Sequence, residues 1–260
     1  MKRVSKISEQ IAHKKDYESV KVCLVVGAGD ATGAAVARRF ARERYTVCVV
    51  RRKKESLTKL VEEIQSNGGH AVAFGCDARQ ESEVVDLISR IESDIGPIEI
   101  AVHNIGANVR FGIAETTARV YRKVWEMAAF SAFLTGREVA KAMKPRQRGT
   151  IIFTGATASI RGKDGFAAFS GAKHATRALS QAMARELGPI GIHVAHVVVD
   201  GPIDTAFISG LLGESRVEDM RRTYSILNPN DIADSYWFLH TQPPSAWTWE
   251  LDLRPWTEPF

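Results

Sequence analysis

Val20-Lys21-Val22-Cys23-Leu24-Val25-Val26-Gly27-Ala28-Gly29-Asp30-Ala31-Thr32-Gly33-Ala34-Ala35 is the stretch that decides the fold. Its first seven residues are rich in β-branched side chains and have the length of a buried strand. Three glycines follow at positions 27, 29 and 33, and then an alanine-rich run suited to a helix. Glycine lets the backbone turn tightly and lets an anionic group come close to a helix N-terminus. There, free N–H groups and the helix dipole favour negative charge.

Working outward, similar apolar runs recur. They are Thr46 to Val50, His70 to Phe74, Ile98 to Val102, Thr150 to Phe153, Ile192 to Val199 and Trp249 to Leu253. Helix-period segments lie between them. Leu57, Leu60, Val61 and Ile64 fall at i, i+3, i+4 and i+7, and so do Val84, Leu87, Ile88 and Ile91. Asn67-Gly68-Gly69 ends the first of these helices. Strands apolar on both faces and separated by helices form a parallel sheet covered on both sides. Right-handed crossovers then give an α/β, doubly wound Rossmann fold, with a parallel sheet of about seven strands. No Pro/Gly/Ser-rich linker divides the chain, so residues 19–260 read as one domain behind a polar extension, 1–18.

The 260 residues are 45% hydrophobic and 25% charged, which excludes disorder, collagen and coiled coil. No apolar run reaches the ~18 residues of a membrane span. The extension lacks the apolar core of a signal peptide. Its Lys2, Arg3, Lys6, Lys14 and Lys15 are offset by Glu9, Asp16 and Glu18, so a mitochondrial presequence is poorly supported. Cys23, Cys48 and Cys76 are an odd number without CxxC spacing, each in or beside a strand, and read as buried reduced thiols of a cytoplasmic protein. The seven histidines show no metal-ligand spacing, so no metal is expected. Pro243 to Phe260 holds Trp247, Trp249 and Trp256 and four prolines. This tail packs on its own domain or at a subunit interface.

A glycine motif alone is weak, but between a first strand and a helix in a repeating βα chain it points to a dinucleotide; the competing reading is a plain glycine-rich turn. An acidic residue near the end of strand two would bond the ribose hydroxyls of NAD. That place holds Arg51-Arg52-Lys53-Lys54 instead. Guanidinium suits a 2′-phosphate, so NADP(H) is preferred over NAD(H); the competing reading is a solvated basic turn. This local use of the basic cluster, and its lack of interleaved aromatics, weigh against nucleic acid as a partner of a chain whose net charge is +5.

Taken together, these motifs resemble the short-chain dehydrogenase/reductase family from about Val20 to Asp252. Gly27 to Gly33, with Asp30, Ala31 and Thr32 between glycines, resembles its glycine motif, and Ala31 stands where the middle glycine is usual. Cys76-Asp77-Ala78 resembles the segment whose aspartate contacts adenine. Val102-His103-Asn104-Ile105-Gly106 is similar to the family's Asn-Asn-Ala-Gly. Asp200-Gly201-Pro202-Ile203-Asp204-Thr205 is similar to the turn that holds the nicotinamide, with Asp200 replacing a proline. By this resemblance Gly27, Gly29, Asp30, Ala31, Thr32, Gly33, Arg51, Arg52, Asp77, Ala78, Asn104, Gly106, Lys173, Gly201, Ile203 and Thr205 would bind the cofactor.

In the family, chemistry rests on an asparagine, a serine, a tyrosine and a lysine. The resemblance keeps only Lys173. Phe169 occupies the tyrosine position, Ala156 the serine and Ala128 the asparagine. Phenylalanine has no ionisable proton, and losing a positioned acid costs ~10²–10⁴-fold in rate. The expected activity is therefore NADP(H)-dependent carbonyl/alcohol or related hydride transfer with a non-standard or absent proton donor. Thr154, Tyr224 and His103 are the candidate substitutes, with Thr157 and Ser159 nearby in sequence. A catalytically silent NADP(H)-binding sensor or partner subunit is the alternative. Phe166, Ile203, Phe207, Ile208 and Leu211 are expected to line an apolar pocket for a small-molecule substrate. Relatives assemble through the helices after strands four and five, here Arg122 to Met143 and Phe166 to Leu187. That implies a homodimer or homotetramer, with no membrane partner.

Overall fold

The computed structural model describes residues 20–259; the 1–18 extension lies outside them. Seven strands form one sheet: β1 (Val22–Val26), β2 (Thr46–Arg51), β3 (His70–Gly75), β4 (Ile98–His103), β5 (Gly149–Thr154), β6 (Ile192–Val199) and β7 (Glu250–Leu253). All pairings are parallel and the order is β3-β2-β1-β4-β5-β6-β7. The helices are α1 (Thr32–Arg42), α2 (Thr58–Ser66), α3 (Glu81–Asp94), α4 (Ala118–Trp125), α5 (Ser131–Met143), α6 (Ala167–Leu187), α7 (Ala206–Leu212), α8 (Glu214–Arg222) and α9 (Pro229–Thr241). The single doubly wound α/β domain read from the apolar runs is what forms.

The central strands β1, β4 and β6 are buried along their whole length, as strands with helices on both faces must be. One core joins alternate residues of these strands to Phe40 of α1 and to Ile232, Tyr236 and Leu239 of α9. The other joins the opposite set to α3, α5 and α6 through Ile88, Leu134 and Met183. Cys23, Cys48 and Cys76 are buried free thiols. Among the described residues no helix is long and apolar enough to cross a membrane.

Strand order reverses between β1 and β4, so the connections leave the sheet in opposite directions there. A crevice opens at the carboxyl ends of these strands. Two features differ from the sequence reading. The helix expected from Arg122 to Met143 begins at Ala118 and is broken by a π-helical segment, Glu126–Phe130. Such a bulge has no signature in apolar periodicity. The tail does pack on its own domain: Trp247 stacks on His193 at 4.9 Å, and β7 pairs with β6. Trp256 stays exposed, its indole donating to the Thr223 carbonyl at 2.9 Å.

Candidate active site

The crevice is a cleft of about 770 Å³. Its floor is the turn from β1 into α1. Gly27 has φ +89°, and a Cβ there would fall 2.6 Å from the Asn104 carbonyl oxygen. A Cβ on Gly33 would fall 2.5 Å from the Gly27 carbonyl oxygen. Both glycines are therefore demanded by the protein itself. A Cβ on Gly29 or Gly106 would meet nothing within 4 Å. That side of the turn is open, and α1 has neither a side-chain cap nor an acidic residue in its first turn. The helix end offers unopposed N–H groups to the cleft, which fits a pyrophosphate. Asp30, Ala31 and Thr32 line the same floor. Asn104 closes the cradle by donating its side-chain amide to the Gly27 carbonyl at 3.1 Å.

A neighbouring cavity of about 250 Å³ is lined by Arg51, Arg52, Asp77 and Ala78 together with Gly106. By the sequence resemblance, an adenine and its ribose would lie here. Asp77 accepts from both Arg79 Nε and its backbone N–H, and it faces Arg52. The Arg79 hydrogen bond holds its carboxyl below the usual range. Arg51 makes only a 3.4 Å contact with the exposed Asp30.

At the other end, Gly201, Ile203 and Thr205 line the cleft beside Lys173. Thr205 also caps α7, its hydroxyl accepting from the Ile208 N–H. Lys173 is buried. Its Nζ donates to the carbonyls of Thr154 (2.8 Å) and Ile105 (3.1 Å), leaving one of three donors for the cleft. Desolvation pushes its pKa down to about 8. Its ammonium lies 6.0 Å from the centre of the Phe169 ring. Phe169 and Ala156, the positions that the sequence resemblance pairs with the family's tyrosine and serine, both line the cleft. Ala128 does not. It lies in the π segment, packed with Val124, Phe169 and Ala172, and its carbonyl accepts from Thr176.

Of the three candidate substitutes, Thr154 lines the cleft, whereas His103 and Tyr224 do not. The Thr154 hydroxyl is bonded to the Tyr236 hydroxyl at 2.8 Å, inside the α9-side core. β5 ends at Thr154, so strand alternation does not carry its direction on to Ala156. His103 is buried with Nε2 on Ser131, and burial pushes its pKa to about 3. Tyr224 is 78% exposed and absent from the cleft wall. Thr157 bonds Asp200, and the Ser159 hydroxyl accepts from the Ala156 N–H. Phe166, Ile203, Phe207 and Ile208 line the cleft as expected, whereas Leu211 does not.

Other lining groups were not anticipated: Asn108, Arg161, Lys163, Ser170 and Glu258. Arg161 is held by Asp200, which is fully buried and also paired with Arg254 at 3.2 Å. Glu258 arrives from the C-terminal tail, 3.7 Å from Arg161, a juxtaposition without local signature. Ser170 had one: it lies three residues before Lys173 on α6, a spacing that shares a helix face.

Comparison with known proteins agrees with this geometry. A crystal structure of a short-chain dehydrogenase from Rhodopseudomonas palustris is 44% identical, covering 91% of this chain and 99% of that one, with a TM-score of 0.78. 2,3-Dihydro-2,3-dihydroxybenzoate dehydrogenase of Bacillus subtilis is 28% identical over 84% of this chain and 88% of its own. Human dehydrogenase/reductase SDR family member 4 is 28% identical over 91% and 87%. The family model for short chain dehydrogenase matches residues 21–212. With that match over most of its length, the chain belongs to the short-chain dehydrogenase family of oxidoreductases.

Proposed function

We propose that this protein is an NADP(H)-dependent oxidoreductase that exchanges a hydride with a small, largely apolar carbonyl or alcohol, or a related substrate, without the phenol its relatives use. One observation carries the reading: Lys173 stands buried, fixed by two backbone carbonyls, at the junction of the glycine cradle and an apolar pocket. Maintaining an ammonium there costs desolvation energy, which is reasonable only if a polar ligand meets its remaining donor.

Gly29 and the first turn of α1 would hold the pyrophosphate, Asn104 and Lys173 the nicotinamide ribose, and Arg51 and Arg52 the 2′-phosphate. The weak Arg51–Asp30 contact leaves that guanidinium available for phosphate. Bound, the nicotinamide supplies or accepts the hydride. The chain's own residues position the partners: Phe166, Phe169 and Ile208 give an apolar wall that excludes water, and Arg161 borders it with charge. Such positioning lowers a barrier even without an acid.

Assembly as a homodimer or homotetramer belongs to the same proposal. The exposed Tyr121, Trp125, Phe130 and Phe133 along α4, the π segment and α5 support it. Light scattering tests it, and a monomer at working concentration refutes it. For the activity, NADPH and NADH binding is measured by fluorescence, followed by NADPH oxidation against a carbonyl and enone panel. Absence of binding overturns the reading. Tight NADPH binding with no turnover of any panel member favours the silent sensor instead.

A further inference from the structure

The cleft carries two cations that cofactor binding does not use. Arg161 and Lys163, on the connection from β5 to α6, both line it. Arg161 is anchored by Asp200: its Nη2 donates to the two carboxylate oxygens at 3.1 and 3.0 Å. Asp200 is fully buried, accepts from the Thr157 hydroxyl as well, and directly precedes Gly201, which also lines the cleft. The guanidinium is therefore fixed beside the turn that the sequence resemblance gives to the nicotinamide. Its Nε and Nη1 have no hydrogen-bond partner among the described residues, and neither atom is sealed inside the protein. A planar guanidinium with free donors, held in place by a buried carboxylate, suits a second carboxylate.

The chain's own carboxylate stands near this position without filling it. Glu258 of the C-terminal tail lines the cleft, and its Oε1 lies 3.7 Å from Arg161 Nη2. That separation is an ion pair but too long for a hydrogen bond, and it leaves Nε and Nη1 open. The tail is tied down on both sides of Glu258's approach. Pro255 Cδ lies 2.8 Å from where a Cβ on Gly201 would stand, and the Trp256 indole donates to the Thr223 carbonyl. Lys163, two residues beyond Arg161, is exposed and has no ion-pair partner among the described residues. Phe166, Phe207 and Ile208 add an apolar wall to the same cleft.

We propose that the substrate is a carboxylic acid with an apolar body, an oxo acid or the matching hydroxy acid, and that Arg161 binds its carboxylate. Lys163 supplies the second positive charge, and the phenylalanine and isoleucine wall takes the apolar part. This rests on the oxidoreductase reading, whose substrate class it narrows. The incoming carboxylate replaces Glu258 as the counter-ion of Arg161, so the charge around the guanidinium stays balanced. A neutral ester or amide would leave the open guanidinium donors without a charged partner, which is how one polar group discriminates between otherwise similar ligands. Arg161 is thus the residue that sets specificity, and Asp200 is the group that positions it.

The test uses the whole protein, with and without NADPH, and compares 3-phenylpropanoate with 3-phenylpropanamide by isothermal titration calorimetry. The carboxylate should bind ~10–100-fold more tightly than the neutral amide. Arg161→Gln should remove that difference; Asp200 keeps Thr157 and Arg254 as partners in this variant. Lys163→Gln should remove part of it, at an exposed position where folding is not at stake. Glu258→Gln should instead tighten carboxylate binding, because the competing anion is gone; loss of packing would not do that. In turnover, an oxo acid should exceed its methyl ester ~10-fold or more in kcat/KM, and Arg161→Gln should erase the preference through KM. Equal binding of acid and amide, or of neither, in both conditions overturns the proposal. So does acid binding that is indifferent to both Arg161→Gln and Lys163→Gln. Failure of wild-type protein to bind NADPH would instead sink the oxidoreductase reading, and the titrations without NADPH would still decide whether the cleft selects a carboxylate.

Discussion

Phe169→Tyr combined with Ala156→Ser should restore the family's proton chemistry, because the framework around both positions is intact. Phe169 lines the cleft, and the Lys173 ammonium lies 6.0 Å from its ring centre. At an effective dielectric constant of ~20, one unit charge at this separation favours a phenolate by about 3 kcal/mol. That lowers the phenol pKa by about two units from its ordinary ~10, into the range useful at neutral pH. The serine hydroxyl at 156 would orient the substrate carbonyl. A positioned acid contributes ~10²–10⁴-fold, so kcat for carbonyl reduction should rise by at least ~10²-fold with little change in NADPH affinity. The assay is NADPH oxidation against the carbonyl panel, with direct NADPH titration as the control. Unchanged turnover in a variant that folds and binds NADPH normally would refute the premise that this pocket keeps the family's geometry.

Five further outcomes follow from the same structure. Arg51→Ala with Arg52→Ala should weaken NADPH binding ~10–100-fold, as loss of charge-assisted hydrogen bonds does, and leave NADH binding nearly unchanged; equal loss for both would refute the 2′-phosphate assignment. Because burial brings Lys173 from its ordinary 10.5 to about 8, NADPH affinity should fall as pH rises through about 8, and Lys173→Met should abolish that dependence. The unliganded protein shows the opposite sign, since the unfolded chain binds more protons between about 8 and 10.5, so its unfolding free energy should rise with pH there. Asp200→Ala should cost about 1–3 kcal/mol in chemical denaturation by removing a fully buried carboxylate that accepts from Thr157 and Arg161; a loss below ~0.5 kcal/mol would show the cluster to be solvated. Tyr236→Phe should cost about 1–3 kcal/mol by leaving the buried Thr154 hydroxyl without its partner.

Much of the fold and half of the site were legible in the linear chain, for local reasons. A strand buried on both faces must be continuously apolar, so β1, β4 and β6 announced themselves. A dinucleotide cradle must be glycine at Gly27 and Gly33 because backbone occupies the space of a side chain there, and the order of βα units placed that cradle at the reversal of the sheet. Lys173 and Phe169 were paired by helical spacing alone. What the linear chain left open was which partners the polar groups at the strand ends would find. Thr154 lines the cleft with Ala156 as expected, but its hydroxyl is bonded to Tyr236, 82 residues away. His103 was expected at a strand mouth and is sealed under Ser131. Leu211 and Tyr224 were expected over the pocket, and neither lines it.

Local pattern determined by itself that this chain folds as a parallel sheet with a glycine cradle at the end of its first strand. Only tertiary packing decided which polar groups are spent and which remain. Thr154, Thr157 and His103 are consumed by partners from distant segments, whereas Ser170 and His196 are buried without a complete set. The physical reason is that a hydrogen-bonding group's availability depends on what the rest of the chain brings within about 3 Å of it, and periodicity carries no information about that.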